Sequence, residues 1–192
     1  FNYRERYPET AAFFLPDFPV DAEVKYKDNL MNAYDNSIRY TDNFLARIIH
    51  LLKQQQVDAS MLYTSDHGED IFDDGRHLFL HASPVPSYYQ LHVPLLLWTS
   101  DSYREEYPGI EKAASMNRQK NISSSISFFQ TMMELAGIET PYRNDSLSVT
   151  SPLYTEKSRV YLNDHNEPHS LDDIGMRKED FEMLKKRGID AQ

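Results

Sequence analysis

Two short apolar runs separated by a long polar loop constrain this chain more than any other feature. The first covers residues 61–63 and stops abruptly at the sequence Ser-Asp-His-Gly, and the second covers residues 93–98. Short apolar runs bounded by polar residues, Gly and Pro are typical of buried strands. In α/β proteins ligands bind just beyond the carboxyl ends of strands, and residues 66–67 directly follow the first run. The sequence therefore predicts a functional site at this point.

Asp66 and His67 are candidate metal ligands. A carboxylate oxygen and a neutral imidazole nitrogen both bind zinc. Adjacent side chains of a regular strand point to opposite faces, so both can reach one ion only where the backbone turns, and Gly68 supplies that freedom. His77 and His81 follow in the same loop. The alternative is structural, with an Asp that caps a helix beside a hydrogen-bonded His, and the dipeptide alone does not decide between the two interpretations.

Helical periodicity flanks the two apolar runs. Apolar residues recur at three- and four-residue steps between residues 22 and 55, which predicts an amphipathic helix that covers one face of a sheet. On its polar side Asn36, Tyr40 and Asp42 are candidates for lipid or substrate contact, but solvation, capping or packing is the favoured interpretation. The alternation of strands and helices predicts an α/β fold with a mainly parallel central sheet and helices on both faces.

The second half of the chain carries further helical patterns. Ser123 offers a helix N-cap, Gly137 a C-terminal stop, and the apolar series 126, 129, 133 and 136 lies between them. Residues 181–186 predict another helix, and residues 159–162 a short edge strand. Residues 102–120 predict a surface loop with a short helix.

Acidic residues follow the Asp-His pair closely. Asp70, Asp73 and Asp74 predict a solvated acidic loop rather than a calcium site, because the spacing of an EF-hand is absent. We expect His77 to be exposed on the surface of this loop. We expect His92 to pack against its neighbours where the second strand begins. Pro94 indicates an edge or entry position for that strand.

Composition excludes several classes of function. Thirty acidic residues against twenty basic ones give a net charge of −10, which disfavours nucleic acid and anionic lipid head groups as the main partners. The chain has no cysteine, so it has neither disulfides nor a Cys nucleophile. It also lacks an apolar run of about eighteen residues, the length that marks a membrane span. The sequence predicts no nucleic-acid partner and no span within this stretch.

Several strings together resemble one enzyme family. They are SDHGE at 65–69, LFLH at 78–81 and HVPLLLW at 92–98, with NAYDNSIRYTDNFL at 32–45 and YRERYP at 3–8 upstream. In this order and spacing the chain resembles the phosphoethanolamine transferases of the alkaline phosphatase and sulfatase superfamily. The resemblance implies that residues 1–192 are the C-terminal portion of a single sulfatase-like catalytic domain, incomplete at its N-terminus.

The resemblance also implies the site. Asp66 and His67 match the paired metal ligands of the family, which use one or two zinc ions, although another divalent metal would suit the same ligands. His81 matches a catalytic His close to a second metal or to the transferred phosphoryl group. Glu69 suits an acceptor that orients the imidazole of His67, because ligating imidazoles commonly donate their other N–H to a carboxylate or carbonyl.

The reaction implied by the resemblance is a metal-assisted group transfer. In the family, a Thr hydroxyl attacks the phosphorus of phosphatidylethanolamine, and the phosphoethanolamine then passes to lipid A or a surface glycan. That Thr is expected ahead of Phe1, so we expect the chain alone to bind zinc weakly or not at all and to be inactive. The same resemblance implies a bacterial inner-membrane enzyme with a periplasmic catalytic domain, whose membrane contact comes through N-terminal segments outside this chain.

Two other functions stay open at this point. A sulfatase, which hydrolyses sulfuric esters, shares the Asp-His-Gly turn and would need an upstream Cys or Ser as the precursor of its formylglycine. A degenerate homologue, or a fragment that serves only as a folded binding module, would need neither residue. The residues that precede Phe1 would separate these possibilities.

Overall fold

The computed structural model describes residues 2–81, 83–162, 165 and 167–189. The chain divides into two compact units, each made of two stretches of sequence. Unit 1 comprises Phe1–Gln54 and His67–His92, and unit 2 comprises Gln55–Asp66 and Val93–Gln192. Within the described ranges, no helix combines the length and apolarity needed to cross a membrane.

The long helix α1, Lys27–Gln55, dominates unit 1. Asp28 lies in its first turn and Lys53 in its last, where each charge opposes the nearby end of the helix dipole. The helix confirms the periodicity predicted for residues 22–55, although its first turn begins at Lys27 after a short 3-10 helix at Val24–Tyr26. Its buried positions recur on one side, and they are Leu30, Ala33, Asn36, Ser37 and Leu45.

The apolar core of unit 1 joins α1 to the loop that follows the Asp-His pair. Strand β2, Asp70–Ile71, pairs antiparallel with β3, Phe79–Leu80, and closes this loop. The buried core residues come from the N-terminal segment, α1 and this loop, and they are Tyr3, Leu30, Ala33, Ile71 and Phe72. The short helix α2, Tyr88–Leu91, completes the unit.

A buried asparagine holds the N-terminal segment against α1. Asn36 has no solvent exposure, and its Oδ1 accepts hydrogen bonds of 2.9 Å from the backbone N–H groups of both Phe13 and Phe14. Its Nδ2 donates to the carbonyl of Phe14 at 3.0 Å and to Asp17 Oδ2 at 3.2 Å. The interpretation of Asn36 as a packing residue is therefore confirmed, because its amide satisfies backbone groups instead of facing solvent.

Unit 2 contains the two strands predicted from the apolar runs. Strand β1, Ser60–Thr64, pairs with β4, Leu95–Thr99, in an antiparallel register that places Met61 opposite Trp98. The remaining elements are α3 (Asp101–Glu106), α4 (Pro108–Asn117), α5 (Ser124–Leu135), β5 (Val160–Leu162), β6 (Pro168–Ser170) and α6 (Lys178–Lys186). Strands β5 and β6 also pair antiparallel.

The pairing direction of the strands differs from the prediction. All three strand pairs of the described residues are antiparallel, whereas the sequence predicted a mainly parallel sheet. An apolar run indicates that a strand is buried, but it does not encode the direction of the neighbouring strand. The predicted surface loop at residues 102–120 is also wrong, because α3 and α4 occupy most of it and Pro108 begins α4 at a position that tolerates proline.

Helix α5 confirms the helix predicted between Ser123 and Gly137, but its most buried positions are not those of the predicted apolar series. Ser127, Thr131 and Leu135 are buried, while Phe129 is exposed. The reason lies in the loop that packs on this helix, since Thr131 Oγ1 accepts the backbone N–H of Val149 at 3.0 Å. A hydrogen bond to that loop therefore accompanies the burial of the polar Thr131, on the same helix as the buried Leu135.

The Asn36 interactions predict a large effect on stability. Asn36→Ala leaves the N–H groups of Phe13 and Phe14 without their acceptor, so we expect a loss of about 2–4 kcal/mol in the free energy of unfolding. Asn32→Ala is the matched control, because it removes a single bond to the carbonyl of Pro16 and should cost about 1 kcal/mol or less. Urea unfolding followed by circular dichroism measures both, and equal losses in the two variants would contradict the assignment.

Candidate functional site

The backbone after Ser65 turns tightly at Gly68. The N–H of Gly68 donates to the carbonyl of Gln90 at 2.8 Å, which ties the loop to α2. A Cβ at this position would lie 2.0 Å from the carbonyl oxygen of Tyr89, far inside contact distance. Only glycine therefore permits this approach, and it fixes the direction in which the chain leaves His67.

A buried carboxylate fixes the loop a second time. Asp70 is 2% exposed, and its oxygens accept hydrogen bonds from Ser87 Oγ at 2.8 Å and from Gln90 Nε2 at 2.5 Å. Burial raises the pKa of the Asp70 carboxyl, and the two hydrogen bonds oppose that shift. The predicted solvated acidic loop is wrong for this residue, because Asp70 points inward as an anchor.

The other two acidic residues of the loop also have local partners. Asp73 Oδ2 accepts the backbone N–H of Ile71 at 2.7 Å. Asp74 pairs with the guanidinium of Arg76, whose Nε lies 2.9 Å from Asp74 Oδ2. Both carboxylates therefore shape the turn between β2 and β3.

Three potential metal ligands converge in unit 1. One ligand atom from each of His67, Glu69 and His81 lies within 4.8 Å of the other two. The imidazole rings of His67 and His81 stack with centroids 3.6 Å apart, and His81 Nδ1 lies 3.3 Å from Glu69 Oε1. The side chain of Glu69 is 10% exposed, whereas that of His81 is 47% exposed. The group has one side toward the protein and one side toward solvent.

Hydrogen bonding determines which nitrogen of His67 can coordinate a metal. His67 Nδ1 lies 2.9 Å from the carbonyl oxygen of Gly68, and a carbonyl can only accept. The proton therefore resides on Nδ1, which gives Nε2 the lone pair that a metal requires. The sequence predicted a carboxylate partner for His67, but Glu69 contacts His81 and the carbonyl of Gly68 orients His67.

The remaining predicted residues occupy different environments. Asp66 is exposed, belongs to unit 2, and has Ser65 Oγ 3.4 Å from its Oδ1. His77 is exposed with a φ of 54°, as expected for a surface position in the loop. His92 is exposed and forms a 2.7 Å hydrogen bond through Nδ1 with the hydroxyl of Tyr88. Its role as a local partner of an aromatic side chain is close to the predicted packing role.

The donor set of the three-residue group suits zinc. Two imidazole nitrogens and one carboxylate oxygen are the ligands of a common class of catalytic zinc site, which keeps a further position open for the reacting group. The exposure of His81 gives such a site access from solvent. Sequence reasoning assigned Glu69 to the orientation of His67 and did not group it with His81 as a further potential ligand, although its spacing of two residues from His67 was the available signal.

Comparison with known proteins decides the family. Residues 1–138 match the model of the sulfatase family, which is well over half of the chain. The chain belongs to the sulfatase family. This assignment covers the N-terminal segment, α1, the loop with the His67–Glu69–His81 group, and the helices up to α5.

Relatives within this family are phosphoethanolamine transferases. The phosphoethanolamine transferase EptA of Escherichia coli (strain K12) is 33% identical over 146 residues, which are 73% of this chain and 26% of that protein. The Kdo(2)-lipid A phosphoethanolamine 7''-transferase of the same strain is 30% identical over 147 residues, with 73% of this chain and 25% of that protein covered. The chain therefore spans about a quarter of the length of these two relatives.

A solved structure confirms the fold. The C-terminal periplasmic domain of EptC from Escherichia coli, in a complex with zinc, superposes with a TM-score of 0.74 at 25% identity. The superposition covers 93% of this chain and 50% of that domain. The predicted α/β, alkaline-phosphatase/sulfatase-like class is thus confirmed, as is the resemblance to phosphoethanolamine transferases.

The close approach at Gly68 predicts a position-specific effect. Gly68→Ala forces the new methyl group against Tyr89, so we expect a loss of about 1–3 kcal/mol in the free energy of unfolding. Gly75→Ala in the same loop is the control, because nothing lies within 4 Å of its Cβ, and it should change stability by about 0.5 kcal/mol or less. Thermal unfolding of both variants checks this, and a fully stable Gly68→Ala protein would show that the loop does not need the contact.

Proposed function

We propose that the protein of which this chain is part transfers phosphoethanolamine from phosphatidylethanolamine to a cell-envelope acceptor. The observation that carries the proposal is the His67–Glu69–His81 group, a zinc-compatible donor set in a member of the sulfatase family. The relatives that match the chain bear the name phosphoethanolamine transferase, which favours this reaction over the hydrolysis of sulfate esters.

Residues around the Asp-His pair are proposed to hold the metal. We assign Asp66 and His67 as ligands of zinc, with one or two ions in the complete site, and the zinc complex of the EptC domain supports the choice of metal. When bound, zinc lowers the pKa of an attacking hydroxyl and neutralises charge on the phosphoryl oxygens. Nε2 of His67 is the proposed donor atom, because its Nδ1 proton is held by the carbonyl of Gly68.

His81 is proposed as the catalytic residue of this chain. Glu69 lies 3.3 Å from its Nδ1 and holds the proton there, so the Nε2 atom of His81 carries the lone pair. That nitrogen can bind a second ion or contact the transferred phosphoryl group. Half-exposure of the side chain leaves room for a substrate to approach.

The substrates and the location are further parts of the proposal. Lipid A is proposed as the acceptor because one relative is a Kdo(2)-lipid A transferase, and a surface glycan is the alternative acceptor. A periplasmic catalytic domain anchored in a bacterial inner membrane is proposed because the EptC neighbour is a periplasmic domain. The nucleophilic Thr is proposed to lie in the remainder of a single catalytic domain, to which residues 1–192 contribute the C-terminal portion.

The metal assignment predicts the zinc content of variants of the complete protein. We expect Asp66→Ala, His67→Ala and His81→Ala each to weaken zinc binding at least about tenfold, since even residues that only support metal ligands cost 10–100-fold. His77→Ala is the matched control, because His77 is an exposed His of the same loop outside the group. Elemental analysis after dialysis, together with a transfer assay using labelled phosphatidylethanolamine, measures both consequences. Retention of zinc and activity in both Asp66→Ala and His67→Ala would overturn the assignment.

The isolated 192-residue chain is expected to hold zinc weakly and to transfer nothing. Asp66 and His67 are two ligands of the proposed site, catalytic zinc has at least three protein ligands, and the remaining ligands of this site are proposed to come from the part of the catalytic domain outside these residues. Zinc that the isolated chain does hold should then depend on Glu69 and His81, which adjoin His67. A zinc titration of the wild-type chain and of Glu69→Gln tests this expectation, and one zinc per chain after dialysis would contradict it.

A further inference from the structure

An exposed apolar segment lies at the N-terminal end of unit 1. We call residues 12–20, with the sequence AFFLPDFPV, the apolar segment. Its five largest apolar side chains are between 39% and 76% exposed, and they are Phe13, Phe14, Leu15, Phe18 and Val20. Five large exposed apolar side chains within nine residues concentrate apolar surface in one segment, and such a concentration usually marks a binding surface.

The apolar segment presents no charge to its surroundings. Its single ionisable residue, Asp17, is buried, and its Oδ2 accepts the hydroxyl proton of Tyr7 at 2.8 Å. The guanidinium of Arg4 lies 3.3 Å from the same oxygen and neutralises it. The carboxylate thus points inward while the phenyl and aliphatic groups point outward.

Polar groups of the backbone of this segment are satisfied by one face of α1. Asn36 bonds the N–H groups of Phe13 and Phe14 and the carbonyl of Phe14. Two more backbone carbonyls of the segment accept hydrogen bonds from α1, that of Pro16 from Asn32 and that of Phe18 from Asn29. The prolines at 16 and 19 have no N–H group that would need a partner. The asparagines recur at three- and four-residue steps, which places them in one row on the helix.

Such a backbone suits a lipid environment. Water would satisfy exposed peptide groups at no cost, but inside a membrane each unsatisfied group costs several kcal/mol, so the protein must supply the partners. A row of asparagines that bonds alternate carbonyls of an apolar loop meets this requirement.

A cation lies beside the apolar segment. The guanidinium carbon of Arg39 is 4.3 Å from the centre of the Phe13 ring, and Arg39 is exposed on α1. Arginine at this position can meet a lipid phosphate while the aromatic ring enters the apolar layer. One cation with a charge-free apolar loop complements a zwitterionic surface, and the net charge of −10 disfavours a strongly anionic one.

We propose that the apolar segment inserts into the surface of a zwitterionic phospholipid membrane. This inference rests on the proposed function, since it gives the catalytic unit direct contact with the bilayer that holds its lipid substrates. The segment and the His67–Glu69–His81 group belong to the same compact unit, so insertion brings the unit that carries this group to the membrane. Aromatic side chains are favoured at this depth of a bilayer.

Vesicle binding tests the proposal. The chain is mixed with vesicles of phosphatidylethanolamine and phosphatidylcholine, and the bound fraction is measured by flotation. We expect the wild-type chain to bind and the triple variant Phe13→Ser, Leu15→Ser, Phe18→Ser to bind at least about tenfold more weakly, because each lost anchor removes apolar area from the lipid contact.

A triple variant of unit 2 is the matched control. Phe129→Ser, Met132→Ser and Leu153→Ser remove three other exposed apolar side chains, so they should leave vesicle binding unchanged. Equal loss in the two triple variants would overturn the proposal, and so would a wild-type chain that does not bind. If the N-terminal variant changes oligomeric state in light scattering instead of vesicle binding, the surface contacts a second copy and the proposal fails.

Tryptophan fluorescence provides a second test of insertion that does not depend on whether the triple variants fold stably. In a Trp98→Phe background, which removes the native tryptophan, Phe18→Trp should shift its emission to the blue and become quenched by brominated lipid, whereas Phe129→Trp should do neither. Neither measurement uses zinc or catalysis, so a complete protein that binds vesicles but lacks transferase activity would refute the proposed function alone. A Phe18→Trp signal indifferent to brominated lipid would refute the insertion alone.

Discussion

The hydrogen bonds between the Asp-His loop and α2 are the constraint on which the candidate site depends. Gly68 and Asp70 bond to Gln90 from two sides, through a backbone carbonyl and a side-chain amide. Gly68 and Asp70 are the residues on either side of Glu69, so their bonds to Gln90 hold the backbone from which the Glu69 side chain extends. His67 is oriented by the next carbonyl of the same turn. A group of potential ligands that is open to solvent at His81 thereby gains the rigidity that a metal or phosphoryl site requires.

Two buried polar side chains of unit 1, Asp70 and Asn36, each hold a different segment of the chain in place. Asp70 holds a loop that carries reactive side chains, whereas Asn36 holds a segment that carries apolar ones. In both cases a fully buried polar group is satisfied by neighbours, which makes its geometry specific. Helix α1 connects the two regions, because its Leu30 and Ala33 pack in the core with Ile71 and its Asn36 reaches the apolar segment.

Much of the fold could be predicted from the sequence, because apolar runs and helical steps report burial directly. The strands at 60–64 and 95–99, and the helices α1 and α6, follow from such patterns. Strand direction could not be predicted, because it depends on the path of the connection. The inward face of α5 was missed because Thr131 is buried by hydrogen bonding. At the site, the grouping of His67 with Glu69 and His81 required three-dimensional closure of the loop by β2 and β3, while the assignment of Asp66 stays a prediction.

The alternation of the two units along the chain has a consequence for dissection of the protein. The polypeptide passes from one unit to the other between residues 54 and 55, 66 and 67, and 92 and 93. No single cut therefore separates the two units, because a cut after residue 92 leaves residues 55–66 of unit 2 attached to unit 1. If unit 1 alone is folded, residues 55–66 form a loop that is fixed at both ends, because residues 54 and 67 both belong to unit 1. Boundaries for crystallisation or domain exchange must therefore be sought outside residues 1–92 rather than within them.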